Sequence, residues 1–431
     1  MADALSRAIR LPHATALVIG IIIGASIFVQ PSEVSRLAPG FRSMLLVWIA
    51  AGALTLVGAL ICAELASAFP ETGGVYVFLS KLFSPAVGFL WGWAMFWSMH
   101  SGIIAAIATV FARYLAALAG AGDWAIRPLA VGGILLLSTV NYVGVRPGSR
   151  LQAFVTWVKL GAIAGLVALL FGSAAAHGAV AQAAAPAPAT RDFLLAVGAG
   201  LFAFGGWHMV TYSAGETEDP RRTIPRALML GTLTVTAIYI ALNSAYLAVL
   251  PVNRVLSSPR VAADAAEAVA GPHASAIVAA LVVVSAFGAM NGIILAGPRV
   301  YLAMARDGLA FRWVEAVHRI FRTPHHAILA QAIWSSFLVL TGTYRSLFTR
   351  VVYTEWLFFG ALAVGLLRAR RRPGYRPTFT LPLGPALPVL FAAACVMIVI
   401  DQIASAPLES LIGLSIVAVG LPAYMLRIRK T

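Results

Sequence analysis

Twelve apolar runs long enough to cross a lipid bilayer make up most of this chain, and two of them are broken near the middle by small residues. A helix needs about 20 apolar residues to span the hydrocarbon core. No water is available there for backbone N–H and C=O groups, so such runs fold as helices that close their own hydrogen bonds. The runs fall at 12–36, 42–66, 85–117, 127–144, 151–172, 193–217, 226–250, 273–305, 327–342, 348–368, 382–402 and 406–427. Hydrophobic residues make up 60% of the 431 and charged residues 11%, which excludes a soluble globular domain. The expected fold is an all-α polytopic membrane protein of about 12 transmembrane helices.

The net charge of +15 would suggest a nucleic-acid partner in a soluble chain. Here Lys and Arg gather on alternate loops, so topology accounts for the charge and no nucleic acid is expected. The rich side holds the N-terminus, Arg221/Arg222/Arg226, Arg299–Arg322, the Arg368–Arg376 cluster and the C-terminus. By the positive-inside rule both termini face the cytoplasm of a multi-pass cell-membrane protein. The Arg368/Arg370/Arg371/Arg372 cluster reads as a topology determinant or a contact to anionic lipid of the bilayer. The first apolar run is too long for a cleavable leader. Cys62 and Cys395 lie inside apolar runs, where neither a disulfide nor a thiolate metal site is expected. The alanine- and proline-rich stretch 177–190 reads as a flexible outer loop, and 254–271 as an outer stretch carrying a short surface helix.

The first break reads Gly20-Ile21-Ile22-Ile23-Gly24-Ala25-Ser26-Ile27-Phe28, and the second Phe202-Ala203-Phe204-Gly205-Gly206-Trp207-His208. Glycine disfavours helix, and an unwound turn at bilayer depth leaves backbone groups that something must satisfy. Substrate or coupling ion held between half-helices is one answer. Close helix packing at small residues is the plainer one. The second broken run comes five runs after the first, so it crosses in the opposite direction. That arrangement suggests an inverted repeat of 12–172 against 193–368, with 382–427 appended. Consecutive N–H groups at Gly24, Ala25 and Ser26 would suit a carboxylate. Carbonyls freed at Ile22, Phe202 and Gly205 would accept from an ammonium. Donors facing acceptors fit a zwitterion, which means an amino acid. The candidate binding set is Ile22, Ile23, Gly24, Ala25, Ser26, Phe202, Phe204, Gly205, Gly206 and Trp207.

Lys159 is the lysine well inside a run. It is either a fixed positive charge standing for a coupling cation, a proton carrier, or a side chain snorkelling to the interface near Arg150. Trp207 could cover the substrate, and His208 beside it could titrate and bear on specificity. Asn291 could contribute to specificity or to interhelical hydrogen bonding. Glu355 is expected at the outer interface. No metal-ligand spacing, cofactor loop or catalytic triad stands out, so no enzyme is expected.

These residues carry a resemblance. Gly20 to Phe28 resembles the first-helix signature of the amino acid–polyamine–organocation superfamily, and Phe202-Ala203-Phe204-Gly205-Gly206-Trp207 resembles the sixth-helix motif of its L-type amino acid transporter branch. Further matches run from Ala63-Glu64-Leu65 through Phe69–Gly74, Asp219–Ala227 and Trp356–Gly360. The resemblance implies a leucine-transporter-like five-plus-five fold, alternating access, and Ala25 and Ser26 at the substrate carboxylate. It also implies amine contacts at Ile22, Phe202 and Gly205, and sodium independence through Lys159. Three departures stand out: Ala25-Ser26 for Ser-Gly, His208 for Asn or Asp, and Gly215 for the first of two glutamates, which weakens inference about an inner gate. The stretch 113–127 lacks cysteine, so no disulfide-linked heavy subunit is expected. The expected function is exchange or proton-linked uptake of an amino acid. An amine or polyamine carrier is the alternative, disfavoured because no acidic residue flanks either break. A non-transporting amino acid sensor is a further one, expected to carry a long tail or a soluble domain.

Overall fold

The computed structural model describes residues 5–28, 30–182, 187–258, 260–343 and 352–428, and these form an almost wholly helical bundle. A helix stands at every predicted run. Among the described residues, nine of them are long and apolar enough to cross a membrane by length and composition. The first span is instead split into Leu11–Ile22, a short 3-10 turn Ser26–Phe28 and Gln30–Leu37. The next four are Phe41–Ala68, Pro85–Leu118, Ile126–Val143 and Val145–His177. The sixth is split into Thr190–Ala203 and a 3-10 segment Trp207–Glu216. Then follow Pro220–Val249, Ala274–Ala296 continued by Pro298–Arg306, His325–Thr341, Thr354–Ala369, Ala386–Ser405, and Pro407–Ala418 continued by Gly420–Ile428.

Prolines at the first helical turns of Pro85, Pro220, Pro298 and Pro407 start helices where the missing N–H costs nothing. The fifth span begins six residues before its predicted start, because Arg146 and Arg150 sit on its solvated first turns. The ninth and tenth helices have 17 and 16 residues, short for a straight crossing. The start of the predicted run 348–368 and part of the loop 177–190 lie outside the described residues. The described part of that loop is tied down: Val180 N–H donates to the Ala248 carbonyl (2.9 Å), and the Gln182 amide bonds the Leu247 and Leu250 carbonyls. The single surface helix expected in 254–271 is a correction. Two helices stand there, Val252–Ser257 and Val261–Ala270, and the second buries its alanine face against the fifth, seventh and eighth spans.

The first span is the axis of the bundle, packed by the fifth, seventh and eighth. Glycines make that approach close. A Cβ on Gly20 would lie 2.0 Å from Gln152 Nε2, one on Gly292 2.4 Å from Ile21 Cγ1, and one on Gly231 2.5 Å from Val18 Cγ1. Small residues are how helices gain contact where lipid offers no hydrophobic drive. The eleventh and twelfth spans are peripheral, and exposed Leu390, Ile400, Leu408 and Leu411 face outward as lipid-facing residues do.

Candidate functional site

Helix stops after Ile22. Ile23 N–H still reaches back to the Ile19 carbonyl (2.9 Å), but Gly24 N–H turns to the Ile22 carbonyl (2.8 Å), and winding resumes at Ser26. The freed carbonyls are met by side chains of neighbouring spans. Lys159 Nζ, fully buried, donates to the carbonyls of Gly20 (2.8 Å) and Ile23 (2.7 Å). Ser285 Oγ lies 3.0 Å from both the Ile23 and Gly24 carbonyls. A cation at a helix C-terminus is where the dipole favours one. The snorkelling alternative for Lys159 is thus corrected: its head points inward to the break.

The sixth span unwinds at Phe204–Gly206. Phe204 N–H bonds the Leu201 carbonyl (3.0 Å), Gly205 N–H approaches the Phe202 carbonyl (3.4 Å), and Gly206 takes φ +89°. A Cβ on Gly206 would lie 2.3 Å from Ile21 Cγ2, so the two breaks touch at this point. Tyr239, on the seventh span, ties them together. Its hydroxyl proton is shared between the Ala203 carbonyl (2.9 Å) and the Ile22 carbonyl (3.2 Å). With Gly24 N–H and Tyr239 both on it, the Ile22 carbonyl has its two lone pairs occupied. Nothing in the local sequence marks Tyr239, because it comes from a different span 33 positions beyond Gly206.

Burial differs between the two sides of the breaks. Gly205 is exposed and Ala25 and Ser26 are half-buried, all on the side away from the N-terminus. On the other side Trp207–Glu216 is buried except at Gly215. Trp207 is a floor rather than a cover. It packs on Phe359 (centroids 5.1 Å apart), and a Cβ on Gly58 would lie 2.9 Å from its ring. Phe204 turns the other way, onto Tyr239 (4.9 Å) and Trp48 (6.4 Å). His208 lies under the floor between Trp91, Trp207, Tyr212 and Phe359. Asn291 stands apart. It donates to Gln152 Oε1 (2.8 Å) and the Gly148 carbonyl (3.2 Å) and accepts from Asn141 (2.9 Å), joining the fourth, fifth and eighth spans. Glu355 lies in the first turn of the tenth helix, and its Oε1 is buried without a hydrogen-bond partner among the described residues.

The N-terminal face is closed by polar contacts. Ala8 and Ile9 N–H groups both donate to the Glu216 carbonyl (2.9 Å each), and Glu218 N–H returns to the Ile9 carbonyl (2.9 Å). The Glu216 carboxylate holds Arg299 in a bidentate pair (2.6 and 2.8 Å) with both side chains fully buried. Gly215 therefore does not empty this gate, because its neighbour carries the charge. A Cβ at Gly215 would sit 2.1 Å from Thr72 Oγ1. Beside it, Glu64 binds Arg370 (2.9 and 2.5 Å) and Leu381 N–H (2.7 Å). Burial next to Glu64 pushes the Tyr375 hydroxyl up, so it stays a donor.

Comparison with known proteins gives a coherent set. A model of the amino acid permease family matches residues 9–420. A serine/threonine exchanger of Bacillus subtilis is 32% identical, over 98% of this chain and 97% of its own. The human cystine/glutamate transporter is 30% identical over 98% of this chain and 85% of its own. The Asc-type amino acid transporter 1 of mouse is 30% identical over 98% and 81%.

Proposed function

The chain belongs to the amino acid permease family, and from that premise we propose how it moves amino acids across the membrane, by exchange or permeation with alternating access at the two breaks. The observation that carries this is their contact at Ile21 and Gly206, with accessible backbone on one face and a buried floor on the other. The N–H groups of Ala25 and Ser26 take the substrate carboxylate. The Gly205 carbonyl, on an exposed residue of the second break, takes its ammonium, in place of Ile22, whose lone pairs are spoken for. Lys159 replaces a coupling sodium ion by occupying carbonyls of the kind such an ion would need. The closest packing runs between the second and seventh spans and between the third and eighth. These are partners that a repeat of 12–172 on 193–368 would relate, which supports reading the fold as five plus five.

The N-terminal face is the cytoplasmic face of a cell-membrane protein, by the distribution of Lys and Arg. Both cysteines are buried, which supports a chain that works without a disulfide-linked subunit. The test is uptake of labelled amino acids into proteoliposomes, with and without internal amino acid, in sodium and in choline. Counterflow independent of sodium is expected; no flux of any amino acid sinks the reading. One observation favours a second substrate class. Glu355 offers a buried carboxylate oxygen near the floor, as an amine or polyamine carrier would require. Competition by a diamine as strong as by amino acids would favour that class.

A further inference from the structure

Beneath the Trp207 floor lies a run of buried polar atoms that the amino acid site does not use. His208, His100 and Tyr212 are fully buried. Among the described residues, neither His208 nitrogen, nor His100 Nε2, nor the Tyr212 hydroxyl has a hydrogen-bond partner. The Trp91 indole faces that hydroxyl but also lacks a partner at hydrogen-bond geometry. The rings follow one another: His208 to Tyr212 at 5.6 Å, Tyr212 to His100 at 5.6 Å, then His100 Nδ1 to the Tyr301 hydroxyl at 3.0 Å. Glu355 closes the other end. It lies one helical turn before Phe359, whose ring is 5.0 Å from His208, and acts electrostatically on Tyr212. Buried polar groups are satisfied by protein or by ordered water, and a chain of them without protein partners is a path for water and protons. The third span winds as a π turn at Met95–Met99, immediately before His100, and such turns gather at functional sites.

We propose that Glu355, His208, Tyr212 and His100 form a proton-carrying site that couples amino acid movement to one proton; this rests on the transporter reading above. Other titratable groups that act on this cluster are Cys62 on the second span and Tyr301 on the eighth, both facing Tyr212; Arg299 is consumed by Glu216 and Glu64 by Arg370. Among the described residues no group of three or more His, Cys, Asp or Glu can hold a metal. With one proton the two imidazoles and one carboxyl are neutral together. Without it they carry one negative charge, which is costly when buried. A proton from water on the open face binds Glu355 Oε1 and passes to an imidazole. It leaves by His100 and Tyr301 to water on the N-terminal face when that face opens, and the imidazoles return neutral.

The experiment uses the full chain in liposomes clamped with potassium and valinomycin, with labelled serine or threonine outside and a pH dye inside. Addition of substrate should acidify the lumen, and a pH step of about one unit should drive roughly tenfold accumulation. Glu355→Gln and His100→Gln should keep exchange at symmetrical pH and lose both effects. Amino acid flux without proton entry in the wild-type chain overturns the inference and leaves the transporter reading standing. Proton entry that persists in both variants overturns the residue assignment. Absence of all flux overturns the transporter reading and this inference with it.

Discussion

Gly206 and Gly24 look alike in sequence and are held in different ways. Gly206 sits at φ +89°, where a Cβ costs about 1–2 kcal/mol, and that Cβ would also run into Ile21. A Cβ on Gly24 meets only Ala289, at 3.7 Å. Gly206→Ala should therefore cut uptake more than about tenfold, whereas Gly24→Ala should stay within about twofold, at matched surface expression. Equal effects would mean that contact between the breaks is not what matters. Lys159→Ala removes two charge-assisted hydrogen bonds, each worth about 1.5–3 kcal/mol, and leaves the Gly20 carbonyl without its lysine and the Ile23 carbonyl with Ser285 alone. Uptake should fall at least tenfold with expression kept; unchanged flux at every pH tested would make the lysine a packing residue. The breaks and Lys159 were visible in the sequence because glycine runs and a lone charge are local signals. Tyr239 and Ser285 were not. A hydroxyl on an apolar helix carries no mark of which distant carbonyl it will meet.

The sixth and eighth spans are joined by the pair of Glu216 with Arg299, buried at zero exposure and bidentate. Breaking a buried pair leaves an uncompensated charge and costs about 3–5 kcal/mol. Arg299→Ala should lower the melting temperature in detergent and abolish transport, and Arg299→Lys should rescue little, because an ammonium lacks the fork. The double variant Arg299→Ala with Glu216→Gln should melt above Arg299→Ala alone. If it melts lower, the pair is not the source of the loss. The twelve helices were legible because apolar length is a strong signal, yet three features of these elements were not. The outer stretch 254–271 read as carrying one short surface helix, and two stand there. The π turn at Met95–Met99 lies in an unbroken apolar run that reads as ordinary helix. Arg299 read only as one loop charge among many, because its partner lies 83 positions away.

Alternating access requires one face to open as the other closes, and the closed face here is closed by the chain that precedes the first span. Ile9 and Thr217 form an isolated parallel bridge, both buried. The Glu216 carbonyl receives two N–H groups from the same N-terminal segment. These backbone bonds each contribute only about 1 kcal/mol, so the contact can part within a transport cycle while Arg299 holds Glu216 in place. The accessible backbone at Gly205, Ala25 and Ser26 on the opposite side places this conformation with its N-terminal face shut. Cysteines at both positions, Ile9→Cys with Thr217→Cys, should cross-link under mild oxidation, because the bridge holds the two backbones side by side. The native Cys62 and Cys395 are buried and free, so they should not interfere. Uptake should fall to background on oxidation and return on reduction, with either single variant unaffected by the oxidant. Full flux through a quantitatively cross-linked chain would mean that the bridge stays closed throughout and that the N-terminal face opens somewhere else.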